Sequence, residues 1–227
     1  MATPPHPVQT VQVDVHFDLI CPWCWIGKRH LDTARQRLAA MAPGMRVDVH
    51  WHSVQLIPDV PPQGWPYQAF YEHRLGGADA VRTRRAVVQS AAALAGLTIH
   101  HERMAVFPNT WKAHRLLAAA AQQLPPLVLE SLVDALFETY FVQGLDLSDR
   151  EVLATLAQSH GVDMRDADDL AMPVIWRLPA GASGVPLFVI NRQHILSGAQ
   201  PPDVLLAALL DTPFKPSFVR ACSGTVQ

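Results

Sequence analysis

Between residues 11 and 20 the chain alternates: Val11, Val13, Val15 and Phe17 are apolar, and Gln12, Asp14 and His16 between them are polar. A side-chain period of two places the two sets on opposite faces, so the pattern predicts a half-buried strand over 11–20. The period then lengthens. Ile26, His30, Ala34 and Leu38 recur every four residues as far as Met41, and Pro43-Gly44 follows. That spacing predicts a helix over 26–41 with a sharp stop. Val47, Val49 and Trp51 restore the period of two and predict a second strand over 46–54. The order β-α-β across 11–54 suits a right-handed crossover between parallel strands.

A Pro- and Gly-rich loop at 58–66 leads into a run of helices, predicted at 67–75, 78–95, 109–123, 126–142 and 148–160. Asn109 is a suitable N-cap, and Ser148 with Glu151 has the form of a capping box. Gly144 and Gly161 stand where helices should stop. The stretch 163–182 starts polar and carries Pro173, Pro179 and Gly181, which oppose a regular helix. From Leu187 the period is two again. It predicts strands at 187–190 and 194–197 joined by a turn at Asn191-Arg192-Gln193, then a last helix over 201–210 opened by Pro201. The fold class is α/β, β-α-β followed by β-β-α, with a large helical insertion. The expected division is a discontinuous α/β domain at 11–60 and 183–212, an insertion at 61–182, and flexible termini at 1–10 and 213–227.

The candidate chemistry sits where the first strand meets the first helix: Cys21-Pro22-Trp23-Cys24. Two intervening residues let both sulfurs meet without rearranging the backbone. A helix N-terminus has unpaired N–H groups and about half a positive charge, which stabilises a thiolate, the reactive form of cysteine. Cys21 should stand at the mouth of the helix with its sulfur exposed. Cys24 should lie one turn in and resolve the mixed disulfide formed by Cys21. Pro22 suits the first turn, where its missing N–H has no helical partner anyway. Trp23 adds no charge to help a thiolate. Asp18, three residues before Cys21, is read either as a carboxylate that takes a proton from Cys24 or as an ordinary strand-end residue. A structural zinc site would use the same cysteines but needs four ligands. Cys222 is alone, and the pairs His50/His52 and His100/His101 have no required relation to Cys21, so no metal site is expected.

Five segments carry a family resemblance: Phe17 to Arg29 around the two cysteines, Pro108 to Leu117, Tyr140 to Ser148, Ser183 to Ile190, and Ser197 to Pro201. In this order they resemble the DsbA-type thioredoxin fold, and within it the FrnE-like branch near the 2-hydroxychromene-2-carboxylate isomerases. The resemblance implies thiol–disulfide exchange at Cys21 and Cys24. It also implies a cis peptide before Pro186, across from the cysteines, with Val185 offering its N–H and C=O to an extended peptide or to glutathione. The helix carrying Asn109, Trp111, Lys112 and His114 is implied to pack over the active-site face. Asn109 and Trp111 are therefore candidates for substrate binding, and Ser197 for holding a glutathione carboxylate. One departure is Ala171–Ala180, with Pro173 and Pro179, where the family usually has a helix.

Protein thiols or disulfides are the expected partners, with glutathione as an alternative co-substrate. The redox group is the Cys21–Cys24 pair itself, with no bound cofactor. A glutathione-dependent isomerase or transferase of the kappa-like group is the rival reading, in which a serine typically replaces the first cysteine. A third is a binding protein that keeps the fold without redox chemistry. The 227 residues are 49% hydrophobic and 17% charged, enough apolar material for a sizeable core. A net charge of −2 gives no reason to expect a nucleic-acid partner. No uninterrupted apolar run is long enough for a membrane span. The start, Met1-Ala2-Thr3-Pro4-Pro5-His6-Pro7, lacks the features of a secretory signal, so a cytoplasmic location is expected. A homodimer is left open. Trp25, Trp51, Trp65 and Tyr67 are read either as an aromatic groove or as core.

Overall fold

The computed structural model describes residues 9–164, 178, 182 and 184–211. The expectations for Pro173, Pro179, Ser183 and Cys222 lie outside the described residues. In chain order the elements are β1 (Gln9–Phe17), α1 (Pro22–Met41), β2 (Met45–Ser53), β3 (Trp65–Pro66), α2 (Tyr67–Leu75) and α3 (Ala78–Leu94). A short 3-10 turn at His101–Arg103 follows, then β4 (Val106–Phe107), α4 (Trp111–Gln123), α5 (Pro126–Phe141), α6 (Arg150–His160), β5 (Leu187–Ile190), β6 (His194–Ser197) and α7 (Pro202–Leu210).

The main sheet has the order β2-β1-β5-β6. The strand β1 runs parallel to β2, with Val13 opposite Val49, and antiparallel to β5, with Val15 opposite Phe188. The predicted alternation is real: Val11, Val13, Val15 and Phe17 are all buried. Asn191 and Arg192 take left-handed φ angles of 47° and 59°, and Gln193 N–H donates to Ile190 O at 2.9 Å, closing the β5–β6 turn.

Several boundaries differ from the sequence expectation for local reasons. The strand β1 begins at Gln9, inside the terminus expected to be flexible, because Gln9 N–H donates to Gly44 O at 2.9 Å and residues 9–17 all pair with β2. It ends at Phe17 because Cys21 N–H turns back onto Asp18 O at 3.1 Å. The helix α1 starts at Pro22, before its apolar repeat sets in. Asn109 is not the N-cap of α4; Thr110 is, and Asn109 Oδ1 reaches past it to accept from Trp111 N–H at 2.9 Å. Ser148 does not form the capping box. Asp149 caps α6 by accepting from Glu151 N–H, while Ser148 is buried and donates to Asp146.

Helical and α/β parts share one apolar core. The Trp25 ring on α1 stacks on Phe141 (5.7 Å) and Phe137 (6.2 Å) of α5, and Phe17 at the end of β1 lies 6.1 Å from Phe137. Aromatic pairs of this kind contribute about 0.5–1.5 kcal/mol each beyond their buried area. Trp25 is therefore core. A buried cation joins the same elements: Lys28 Nζ lies 3.0 Å from Asp32 and 2.7 Å from Asp134 of α5. Among the described residues no helix is long and apolar enough to cross a membrane.

Candidate active site

The turn between β1 and α1 delivers both cysteines to one place. Cys21 is the N-cap residue of α1, with extended φ −93° and ψ 109°, Pro22 occupies the first turn, and no side chain caps the helix. The free N–H groups of that end thus remain available to a charge at Cys21. Cys24 N–H donates to Cys21 O at 3.0 Å. Neither cysteine is in a disulfide.

Cys21 is less open than its place at a helix mouth suggested: it is 8% exposed, and Cys24 is 3% exposed. The reason lies across the sheet. The Val185–Pro186 peptide is cis, as the resemblance implied, and Cys21 Sγ contacts Val185 O at 3.7 Å. Gly27 of α1 lets this loop approach: a Cβ there would meet Pro186 Cγ at 3.0 Å and Phe188 Cζ at 3.1 Å. Gly198 N–H donates to Pro186 O at 2.8 Å, and His30 Nδ1 is hydrogen-bonded to Gln200 O at 2.9 Å, so both sides of the loop are held. Ser197 is exposed at the end of β6, one residue from that Gly198 contact.

Burial is the first cause that keeps the Cys24 thiol well above the usual thiol range, followed by its hydrogen bond to Cys21 and the charge of that neighbour. The Asp18 backbone N–H acts in the opposite direction, and the Asp18 carboxylate adds to the rise. Asp18 itself is fully buried. It accepts from Leu56 N–H at 2.8 Å and lies 3.1 Å from His114 Nε2, which is also fully buried. Sequence reasoning placed His114 on the right helix but did not pair it with Asp18, 96 positions away.

A cleft of about 410 Å³ opens beside Cys21. Pro22 and Trp23 line it together with α2 and α3. Tyr67, Phe70, Tyr71 and Arg74 of α2 and Val81, Arg84, Arg85 and Val88 of α3 all line it. Burial pushes the Tyr67 phenol up to about 12. His101, hydrogen-bonded to Tyr67 Oη at 2.8 Å, is lowered to about 4 by burial and by the Arg85 charge. The sequence did hold a signal for these walls: in both helices the four residues follow i, i+3, i+4, i+7, with arginines set into an otherwise apolar stripe. Of the four suspected groove aromatics, only Tyr67 lines the cleft; Trp65 packs on Phe70 (5.5 Å), and Trp51 on Phe17 (5.3 Å). Asn109 and Trp111 do not line it either. Asn109 ties the 55–60 loop to α4 by accepting from Gln55 Nε2 at 3.1 Å and donating to Val60 O. Among the described residues no group of three or more His, Cys, Asp or Glu is placed to hold a metal ion.

Paired cysteines at a helix N-terminus, faced by a cis-proline loop and covered by a helical insertion, define a DsbA-like thioredoxin fold. Residues 12–172 match the DSBA-like thioredoxin domain model, and the chain belongs to that family. It is similar to a probable DsbA oxidoreductase from Streptomyces coelicolor, with 27% identity, a TM-score of 0.73, and 90% of this chain and 93% of that one covered. It also resembles the cytosolic disulfide reductase DsbM from Pseudomonas aeruginosa, solved with GSH, at 20% identity and a TM-score of 0.57, covering 88% and 97% of the two chains. Over 214 residues it is 23% identical to the uncharacterized protein YwbO of Bacillus subtilis (strain 168), covering 89% of this chain and 97% of that protein.

Proposed function

We propose that this protein is a thiol–disulfide oxidoreductase of the FrnE-like branch, working through Cys21 and Cys24 on protein thiols or glutathione in the cytoplasm. The observation that carries this reading is the pairing of the two thiols at an uncapped helix N-terminus, with Cys21 facing the Val185 carbonyl at 3.7 Å. Cys21 is the nucleophile. Cys24, held protonated by burial, resolves the mixed disulfide, and Asp18 takes its proton as it attacks. Val185 presents backbone groups to the substrate chain beside the sulfur, and exposed Ser197 offers a hydroxyl to a glutathione carboxylate. Asn109 acts as a positioning residue through the 55–60 loop, and Trp111 supports the same helix start.

The test is equilibration of the pair with glutathione, together with reduction of insulin disulfides. A reversible dithiol–disulfide equilibrium with turnover supports the reading, and its potential relative to the compartment says whether the protein oxidises or reduces. A pair that forms no reversible disulfide, or forms one without exchange, overturns it.

A further inference from the structure

The cleft beside Cys21 has an electrostatic character that disulfide exchange as such does not require. Its lining includes three guanidinium groups, Arg74, Arg84 and Arg85, and no aspartate or glutamate. None of the three is in an ion pair among the described residues. Each instead lies over an aromatic face: Arg85 at 5.2 Å from the Tyr67 ring centroid, Arg84 at 5.6 Å from Trp23 and Arg74 at 5.9 Å from Phe70. Arg85 donates to Gln68 Oε1 at 2.8 Å, and its buried Nε has no hydrogen-bond partner. Three arginines outside the cleft are neutralised by carboxylates: Arg35 by Glu130, Arg37 by Asp203, and Arg82, one turn from Arg85 on α3, by Asp79. An unneutralised cationic wall next to flat apolar surface complements an anion with an apolar body.

The volume narrows the class. About 410 Å³ lies near the low end for small-molecule sites, roughly 300–1,000 Å³. We infer that the cleft selects low-molecular-weight disulfides whose thiol half carries a carboxylate on a flat apolar or aromatic body. The body lies among Trp23, Tyr67, Phe70 and Tyr71, and the carboxylate meets Arg84 and Arg85. This deepens the oxidoreductase reading and rests on it. In the first step the Cys21 thiolate attacks one sulfur of the substrate, forming a Cys21–substrate disulfide and releasing one thiolate. Cys24 then gives up its proton and attacks Cys21 Sγ. The Cys21–Cys24 disulfide forms and the second thiolate leaves, so two electrons pass from the protein dithiol to the substrate disulfide.

The experiment uses the full-length reduced protein and two small probes. Dithiobis(nitrobenzoate) carries a carboxylate on each ring, and dithiodipyridine is aromatic but uncharged at neutral pH. The readout is the ratio of their second-order rate constants, measured by stopped flow, which cancels any change in the reactivity of Cys21 itself. In Arg84→Gln and Arg85→Gln the anionic-to-neutral ratio should fall about fivefold for each charge removed, with the wild-type ratio falling as salt is added. Arg82→Gln, a charge removed outside the cleft, should leave the ratio unchanged. Arg84 is exposed, so its variant does not depend on repacking. A ratio unmoved by either cleft variant, or lowered equally by Arg82→Gln, overturns the inference and leaves the oxidoreductase reading standing. No reaction with either probe overturns both.

Discussion

His114 Nε2 stands 3.1 Å from Asp18 Oδ1, and neither side chain has any exposure to solvent. This buried pair joins α4 of the insertion to the turn that carries the cysteines, and its carboxylate acts on the Cys24 thiol. Two accounts of Asp18 predict opposite signs. As a proton acceptor, its loss in Asp18→Asn slows resolution of a Cys21 mixed disulfide by about tenfold or more, within the range for general-base groups. As a mere negative charge, its loss would ease ionisation of Cys24 and speed the same step. We expect slower resolution, read as release of the second thiol in single-turnover quenched flow; acceleration would remove Asp18 from the mechanism. His114→Ala should cost about 1–3 kcal/mol of stability, since it leaves the buried carboxylate with the Leu56 N–H and without its side-chain partner.

Cys24→Ser separates oxidoreductase from isomerase. The variant should accumulate a stable disulfide between Cys21 and substrate, visible as an added mass that reductant removes. Multiple turnover should be lost. Full retention of a glutathione-dependent isomerisation in that variant, with no trapped adduct, would favour the rival reading.

His101 sets an acid limit on stability. Its folded value of about 4 lies below the roughly 6.5 of a free histidine, because burial and Arg85 disfavour the charged form. The unfolded chain therefore binds the extra proton first as pH falls. The stability owed to neutral His101 is present above about pH 6.5 and is lost as pH falls towards 4. Urea midpoints of the wild type should drop over that window more than those of His101→Gln. Parallel curves would mean that His101 is not the group responsible.

Cys24 sets an alkaline limit of the same kind in the reduced protein alone. Its folded thiol stays protonated past the usual range, so stability is present below about pH 8.5 and declines as the unfolded chain ionises above it. The oxidised protein has no such thiol and should show a flatter profile between pH 8 and 10, measured by the same denaturation.

Gly27 is the close-approach point of α1 on the proline loop. A valine there meets Pro186 and Phe188 at less than comfortable distance, and overpacking of this type costs about 1–3 kcal/mol. Gly27→Val should lower the thermal midpoint and also slow insulin reduction, because Val185 moves relative to Cys21. Unchanged exchange with a lowered midpoint would show that the loop position is not limiting.

Much of this was open to reading along the chain, because the signals are local. The alternation from Val11 to Phe17, the Cys-Pro-Trp-Cys turn, the helical run and the β5–β6 hairpin each follow from side-chain period or turn chemistry within a dozen residues. Element ends were less legible. Asn109 and Ser148 are good capping residues by type, yet Thr110 and Asp149 hold the cap positions, because Asn109 is also drawn to Gln55 and Val60, and Ser148 to Asp146. The two-residue strands β3 and β4 exist only by pairing with each other across 40 positions, with no period of their own.

The sequence by itself therefore determined the longer elements, their order and the joint placement of Cys21 and Cys24, since a helix N-terminus and a two-residue spacer are local facts. Only the tertiary structure decided what surrounds that pair. The Asp18–His114 contact, the approach of Val185 to Cys21 and the arginine-lined cleft each join segments tens to more than a hundred residues apart. Such contacts form when separate apolar faces are buried together, and the polar groups those faces carry inward must then find partners or a ligand.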